Sequence, residues 1–209
     1  DWKTMRLRNW QQKIIDDFPS IVEKHRRFIL KAPTGAGKTV LASEIIAQFY
    51  AGQKILVLCH RLVLLEQLER ALSAKHRVHK LTISDTAPAF DDYDILLSTN
   101  IRAMTLLADA IAMANLIIVD EAHRVSPNGK SYKEIIKNFE ENGKRTAQFI
   151  GLTASPERRT GDQKDQLNLA FDAIIDCADI ENLILEGILA VILEMLLLLQ
   201  IASCKDDSE

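Results

Sequence analysis

The residues best suited to chemistry stand together at Ala32-Pro33-Thr34-Gly35-Ala36-Gly37-Lys38-Thr39, directly after the apolar run Phe28-Ile29-Leu30. Strand, glycine-bearing loop and helix in that order form a phosphate loop. Gly35 and Gly37 can adopt backbone angles that let amide N–H groups converge on phosphate oxygens. Lys38 offers a positive charge to the terminal phosphates of a nucleotide, and the Thr39 hydroxyl can ligate Mg²⁺. The helix that begins there adds the positive end of its dipole. The usual pattern opens on glycine; Ala32 occupies that place, a departure of one residue.

A second group follows the most strand-like run of the chain, Leu116-Ile117-Ile118-Val119, and reads Asp120-Glu121-Ala122-His123. Asp120 suits the acid that holds Mg²⁺ directly or through water, and Glu121 suits a carboxylate that orients an attacking water or accepts its proton. His123 is either a coupling residue near the terminal phosphate or a structural histidine. It has no Cys or His companions at zinc-ligand spacing. Thr153 and Ser155 put hydroxyls at a further strand end, either to sense the nucleotide or to cap the strand. Upstream, Gln11 carries an amide that can accept from and donate to the N6/N7 edge of adenine, or it is a surface residue.

The elements that must position these groups alternate. Trp10, Ile14, Phe18, Ile21 and Val22 recur at helical spacing, which predicts a helix from about Asn9 to His25 that Pro19 bends or splits. A helix follows the phosphate loop to about Tyr50. Strands are expected at 54–59, 78–83, 95–97 with Ser98-Thr99 at the end, 116–119 and 147–152. Helices are expected from Leu62 to Leu72, around Met104 to Ile111, and from Lys130 to Asn142. Asp179 is placed to cap a short helix ending before Gly187. The fold class is α/β: a three-layer parallel sheet with helices on both faces. In such sheets ligands bind at the carboxyl ends of the strands, where the polar clusters all fall, His60-Arg61 and Ser98-Thr99 among them.

Bulk properties narrow the function. A chain of 209 residues with 47% hydrophobic and 26% charged residues can bury a substantial core. The net charge of −3 excludes a global basic field, so nucleic-acid binding would rely on local groups. Cys59, Cys177 and Cys204 are odd in number and lack metal or disulfide spacing, which fits a cytoplasmic protein. Leu183 to Ala202 is apolar but is interrupted by Glu186, Gly187, Glu194 and Gln200. Charges near the centre of a spanning helix cost about 3 kcal/mol each, so no membrane span is expected.

Taken in order, these motifs resemble the first motor domain of superfamily 2 helicases and translocases of the DEAH-box kind, a P-loop NTPase of RecA-like fold. The resemblance rests on Leu7 to Gln11 (the adenine-reading motif), Ala32 to Thr39, Cys59-His60-Arg61, Ser98-Thr99, Asp120 to His123 and Leu152 to Ser155. Alanine at the position of Ala32 is common in that family. Arg158, Gly161 and the stretch 184–190 resemble restriction-enzyme-type and repair-type DNA helicases.

The resemblance implies ATP and Mg²⁺ as cofactors. Arg8, Gln11, Thr34, Gly35, Ala36, Gly37, Lys38 and Thr39 would lie on the nucleotide, with Mg²⁺ at Thr39 and Asp120. Lys38, Asp120 and Glu121 would be catalytic, and His123, Thr153 and Ser155 would couple hydrolysis to movement. Arg61 and Thr99 would lie along a nucleic-acid track, with DNA favoured over RNA. It also implies an ATP-binding domain over 1–190, an exit segment over 191–209, and a second motor domain in the parent chain that supplies an arginine. The chain by itself is therefore expected to be weakly active or inactive. The alternatives are a DNA translocase subunit of a restriction machine and a non-catalytic nucleotide-binding interaction module.

Overall fold

The computed structural model describes residues 6–59, 62–73, 76–81, 93–99, 108–122, 130–154, 171–178 and 183. Among them, strands β1 (Arg27–Lys31), β2 (Ile55–Cys59), β3 (Val78–Lys80), β4 (Ile95–Thr99), β5 (Leu116–Asp120), β6 (Gln148–Thr153) and β7 (Ala173–Asp176) form one sheet in the order β3-β4-β2-β5-β6-β1-β7. Every pairing is parallel. The helices between them are α1 (Asn9–Lys24), α2 (Lys38–Phe49), α3 (Leu62–Ser73), α4 (Ala108–Met113) and α5 (Lys130–Asn142).

The continuous apolar runs are explained by burial on both faces, since successive side chains of a strand point to opposite sides. Phe28 and Leu30 of β1 pack with Ile55, Val57, Ile150 and Leu152 against α1, α2 and α3, where Phe18, Leu41, Ile45 and Leu65 meet them. Ile29, Leu56, Leu58, Ile117, Val119 and Phe149 face the other way and pack on Ala110 and Ile111 of α4 and Ile135 and Phe139 of α5. The expected three-layer α/β architecture is therefore the observed one.

Pro19 does not split α1, which runs unbroken past it. The stripe of Trp10, Ile14, Phe18 and Ile21 lies on the sheet, and Phe18 stacks near Phe49 with ring centroids 4.7 Å apart. β7 lies beyond the strands expected from sequence. It adds to the edge of β1, where Arg27 Nη2 meets Asp172 Oδ1 at 2.9 Å and Lys31 Nζ meets Asp176 Oδ1 at 2.7 Å. Among the described residues no helix is long and apolar enough to cross a membrane. The helix expected after Asp179 and the apolar stretch 184–202 lie outside the described residues.

Candidate nucleotide site

β6 lies between β5 and β1, so the acidic turn and the phosphate loop leave the sheet one strand apart on the same edge. The loop is rooted where the Ala32 N–H donates to the Thr153 carbonyl at 3.0 Å. Ala32 is buried in the core with α1 and α2 around it, so its methyl fills space a glycine would leave empty. Beyond it the chain crests at Thr34 and Gly35, both exposed. Gly35 (φ 78°) and Gly37 (φ 101°) take the left-handed conformation that the sequence reading required of them. Thr39 stands half-buried in the first turn of α2.

The opening of α1 grips this loop from behind. Arg8 Nη1 donates to the Ala36 carbonyl and, at 3.3 Å, to that of Gly35. Gln11 Nε2 donates to the Gly37 carbonyl at 3.0 Å, and Gln11 Oε1 accepts the Arg8 backbone N–H at 2.9 Å. Gln11 is 2% exposed, so it is not a surface amide. A Cβ on Gly37 would stand 2.8 Å from Gln11 Nε2, which explains why the loop approaches the amide there through glycine.

Lys38 Nζ donates to the carbonyls of Ala32 at 2.9 Å and Pro33 at 3.1 Å. Burial pushes its pKa below the ordinary 10.5, against the opposing pull of Glu121, Asp120 and Cys177. Burial raises the Asp120 carboxyl above 3.8, and Glu121 adds to that through its charge. The Glu121 N–H, donated to Asp120 Oδ1 at 3.0 Å, and the Lys38 charge work the other way. Lys38 and the two carboxylates thus lie close enough for their charges to act on one another. Glu121 holds φ 54°, a left-handed backbone uncommon outside glycine and a mark of functional turns.

The arrangement fits a magnesium nucleotide. It offers a glycine loop with its carbonyls held from behind, a cation inside the loop, and two adjacent carboxylates at the end of the next strand but one. Thr153 is fully buried at the end of β6. Ser98 is fully buried, its Oγ donating to the Thr99 carbonyl at 3.1 Å, and Thr99 is half-buried at the end of β4. Arg61, His123 and Ser155 lie outside the described residues. Sequence reasoning missed the Cys177 thiol, which is buried beyond β7 beside the loop and pushed up to about 12 by that burial. It also passed over Gly151, although a glycine inside a strand signals a close approach.

Comparison with known proteins accords with this geometry. The family described as "Type III restriction enzyme, res subunit" matches residues 4–158. No curated protein matches the chain. The helicase domain of Pyrococcus furiosus Hef superposes with a TM-score of 0.65 at 25% identity, over 80% of this chain and 37% of that one. The UvsW helicase of bacteriophage T4 gives 0.61 at 19% identity, over 82% of this chain and 60% of that one. A nuclease-deletion mutant of the Type ISP restriction-modification enzyme LlaGI, in complex with a DNA substrate mimic, gives 0.63 at 17% identity, over 88% and 21%. The last two likenesses speak to fold alone. The chain spans less than two thirds of the length of each of these structures.

Proposed function

This chain belongs to the family of the type III restriction enzyme res subunit, and from that premise we propose that it binds MgATP and couples its hydrolysis to movement on DNA. It is the first RecA-like motor domain of a superfamily 2 helicase or translocase. The observation that carries the reading is that the phosphate loop with Lys38 and the Asp120-Glu121 turn follow the ends of β1 and β5, on either side of β6, whose Thr153 carbonyl accepts the Ala32 N–H.

Bound MgATP would supply the phosphoryl group and the metal charge. Lys38 would exchange its Ala32 and Pro33 carbonyl partners for phosphate oxygens. Thr39 and Asp120 would hold Mg²⁺, Glu121 would take the proton of the attacking water, and Gln11 would read adenine with its second amide N–H and remaining acceptor lone pair. Thr34, Gly35, Ala36 and Gly37 would line the phosphates. Arg8 would act at the nucleotide through its hold on the loop. Thr153, with His123 and Ser155, would report the state of the γ-phosphate. Arg61 and Thr99 would meet the nucleic-acid backbone. The wording Asp-Glu-Ala-His at 120–123 supports the DEAH-box subtype. Domain limits of 1–190 and 191–209 are part of this reading, as is a second motor domain. Cys59 and Cys177 are buried and in no disulfide, which supports a cytoplasmic setting.

DNA is favoured over RNA because the family is described by a restriction enzyme. The same description favours translocation over strand separation as the second reading.

The test separates binding from chemistry. Lys38→Ala is expected to abolish nucleotide binding measured by fluorescence titration. Glu121→Gln is expected to keep binding and lower single-turnover hydrolysis by about 10²–10⁴-fold, the usual contribution of a general base. Hydrolysis unaffected by Glu121→Gln would remove the assigned chemistry.

A further inference from the structure

The strand between the phosphate loop and the acidic turn touches both. On one side the Thr153 carbonyl accepts the Ala32 N–H at 3.0 Å and so roots the loop. On the other, Val119 is in register with Gly151 and Asp120 with Leu152. A Cβ added to Gly151 would stand 2.7 Å from the Ala122 Cβ and 3.0 and 3.1 Å from the ring edge of Phe171. Phe171 can swing its ring. Ala122 cannot yield that way, because its Cβ moves only with the backbone that carries it. Its methyl is fully buried in the place where a side chain of residue 151 would lie.

Ala122 directly follows Glu121, whose φ of 54° persists only if its surroundings hold it. Two constraints do so. Asp120 Oδ1 accepts the Glu121 N–H from one side, and Ala122 is seated on the bare α-carbon of Gly151 from the other.

We propose that Gly151 is a positioning residue for the acidic turn, and that β6 from Gly151 to Thr153 sets the spacing between the loop that holds phosphates and the turn that holds Mg²⁺. The inference rests on the MgATP reading above. Because β6 is paired on both sides, an added methyl at position 151 displaces the turn rather than the strand. The loop keeps its own root at Thr153. Gly151 therefore governs the metal-dependent part of nucleotide binding and leaves the phosphate-dependent part alone.

The experiment titrates the chain with a fluorescent ATP analogue in excess Mg²⁺ and again in EDTA. Gly151→Ala is expected to leave the EDTA affinity close to that of the unsubstituted chain. The gain given by Mg²⁺ should fall by about tenfold or more, the order that losing a group which orients a metal ligand costs. Adding Ala122→Gly returns a single methyl to the shared space, a volume-conserving exchange, and should restore the gain. Hydrogen exchange at residues 121–122 should rise in the single variant and recover in the double one, whether or not nucleotide is bound. A retained Mg²⁺ gain, or equal losses in both conditions without rescue, overturns the proposal. Where the unsubstituted chain binds no analogue at all, the MgATP reading fails, and exchange that does not change at 121–122 removes the seat itself. Should Gly151→Ala not fold, Ala122→Gly alone, which leaves β6 intact, is expected to lower the Mg²⁺ gain, and an unchanged gain overturns the seat.

Discussion

At the scale of single residues, the most consequential contacts are the ones that hold backbone rather than ligand. A trans peptide points its carbonyl and the following N–H in opposite directions. Arg8 and Gln11 hold the carbonyls of Ala36 and Gly37 from behind. The N–H groups of Gly37 and Lys38 are thereby turned toward the opposite side, where phosphate oxygens would sit. Gln11 thus has a role that its adenine-reading assignment did not require. Losing it would take from the half-buried Arg8 N–H its side-chain partner and leave the Gly37 carbonyl with the Leu41 N–H alone, at a cost of about 1–3 kcal/mol. Gln11→Ala is expected to weaken binding of ATP by roughly 5–150-fold, the same cost expressed as an equilibrium ratio. Inorganic tripolyphosphate, which has no base to read, should lose a large share of that factor as well. Titration of both ligands checks this, and any excess loss for ATP measures the base contact. Lys38, Thr39, Asp120 and Glu121 could be proposed from the sequence because phosphate and metal chemistry dictates such types and spacing. The grip of Arg8 was not, because nothing in a pentapeptide shows which carbonyls lie within reach after folding.

At the scale of elements, strands buried on both faces were legible, as was the edge strand β3, whereas the edge strand β7 was not. Ile55 to Cys59 and Leu116 to Val119 are unbroken apolar runs because helices cover both sides. β7 is short, alternates between partial burial and exposure, and leaves Ile174 exposed. Its local pattern is too weak to separate it from a loop. What places it is a side-chain clamp at its entry. Asp172 accepts from the Arg27 backbone N–H at 3.0 Å and from the guanidinium at 3.3 and 2.9 Å, and Arg27 also pairs with Glu140 of α5. Burial works to raise the Asp172 carboxyl, but these hydrogen bonds and the Arg27 charge outweigh it and hold the pKa below 3.8. A depressed carboxylate pKa gives stability that is present above the unfolded value of 3.8 and disappears as pH falls through the folded value. Asp172→Ala should therefore destabilise the fold by about 1 kcal/mol near neutral pH, a modest figure because the pair is partly exposed to water. Its difference from the parent should vanish at the acid end. Urea unfolding across pH checks this, and a pH-independent difference would mean that packing rather than ionisation holds β7.

At the scale of the whole molecule, the carboxyl ends of the strands gather the residues that our reading assigns to a nucleotide, and the net charge is −3. In our reading nucleic acid would then be held by local donors at strand ends, which need no basic surface, because backbone amides and hydroxyls contact phosphates. In our reading the arginine that acts opposite Lys38 belongs to the second motor domain. Phosphoryl transfer without a charge-stabilising arginine is slow, and in related systems that group is worth about 10³–10⁵ in rate. The second motor domain of our reading would bring it, closing over the side of the site that Thr34 and Gly35 leave exposed. The expected behaviour of the 209-residue chain follows. It should bind nucleotide, turn it over slowly, respond little to DNA, and separate no strands. Steady-state hydrolysis with and without duplex DNA at fixed salt measures this directly, with Lys38→Ala as the background. Robust turnover that DNA stimulates and Lys38→Ala abolishes would mean that the stabilising charge is already within this chain, and the division of labour between two motor domains would have to be abandoned.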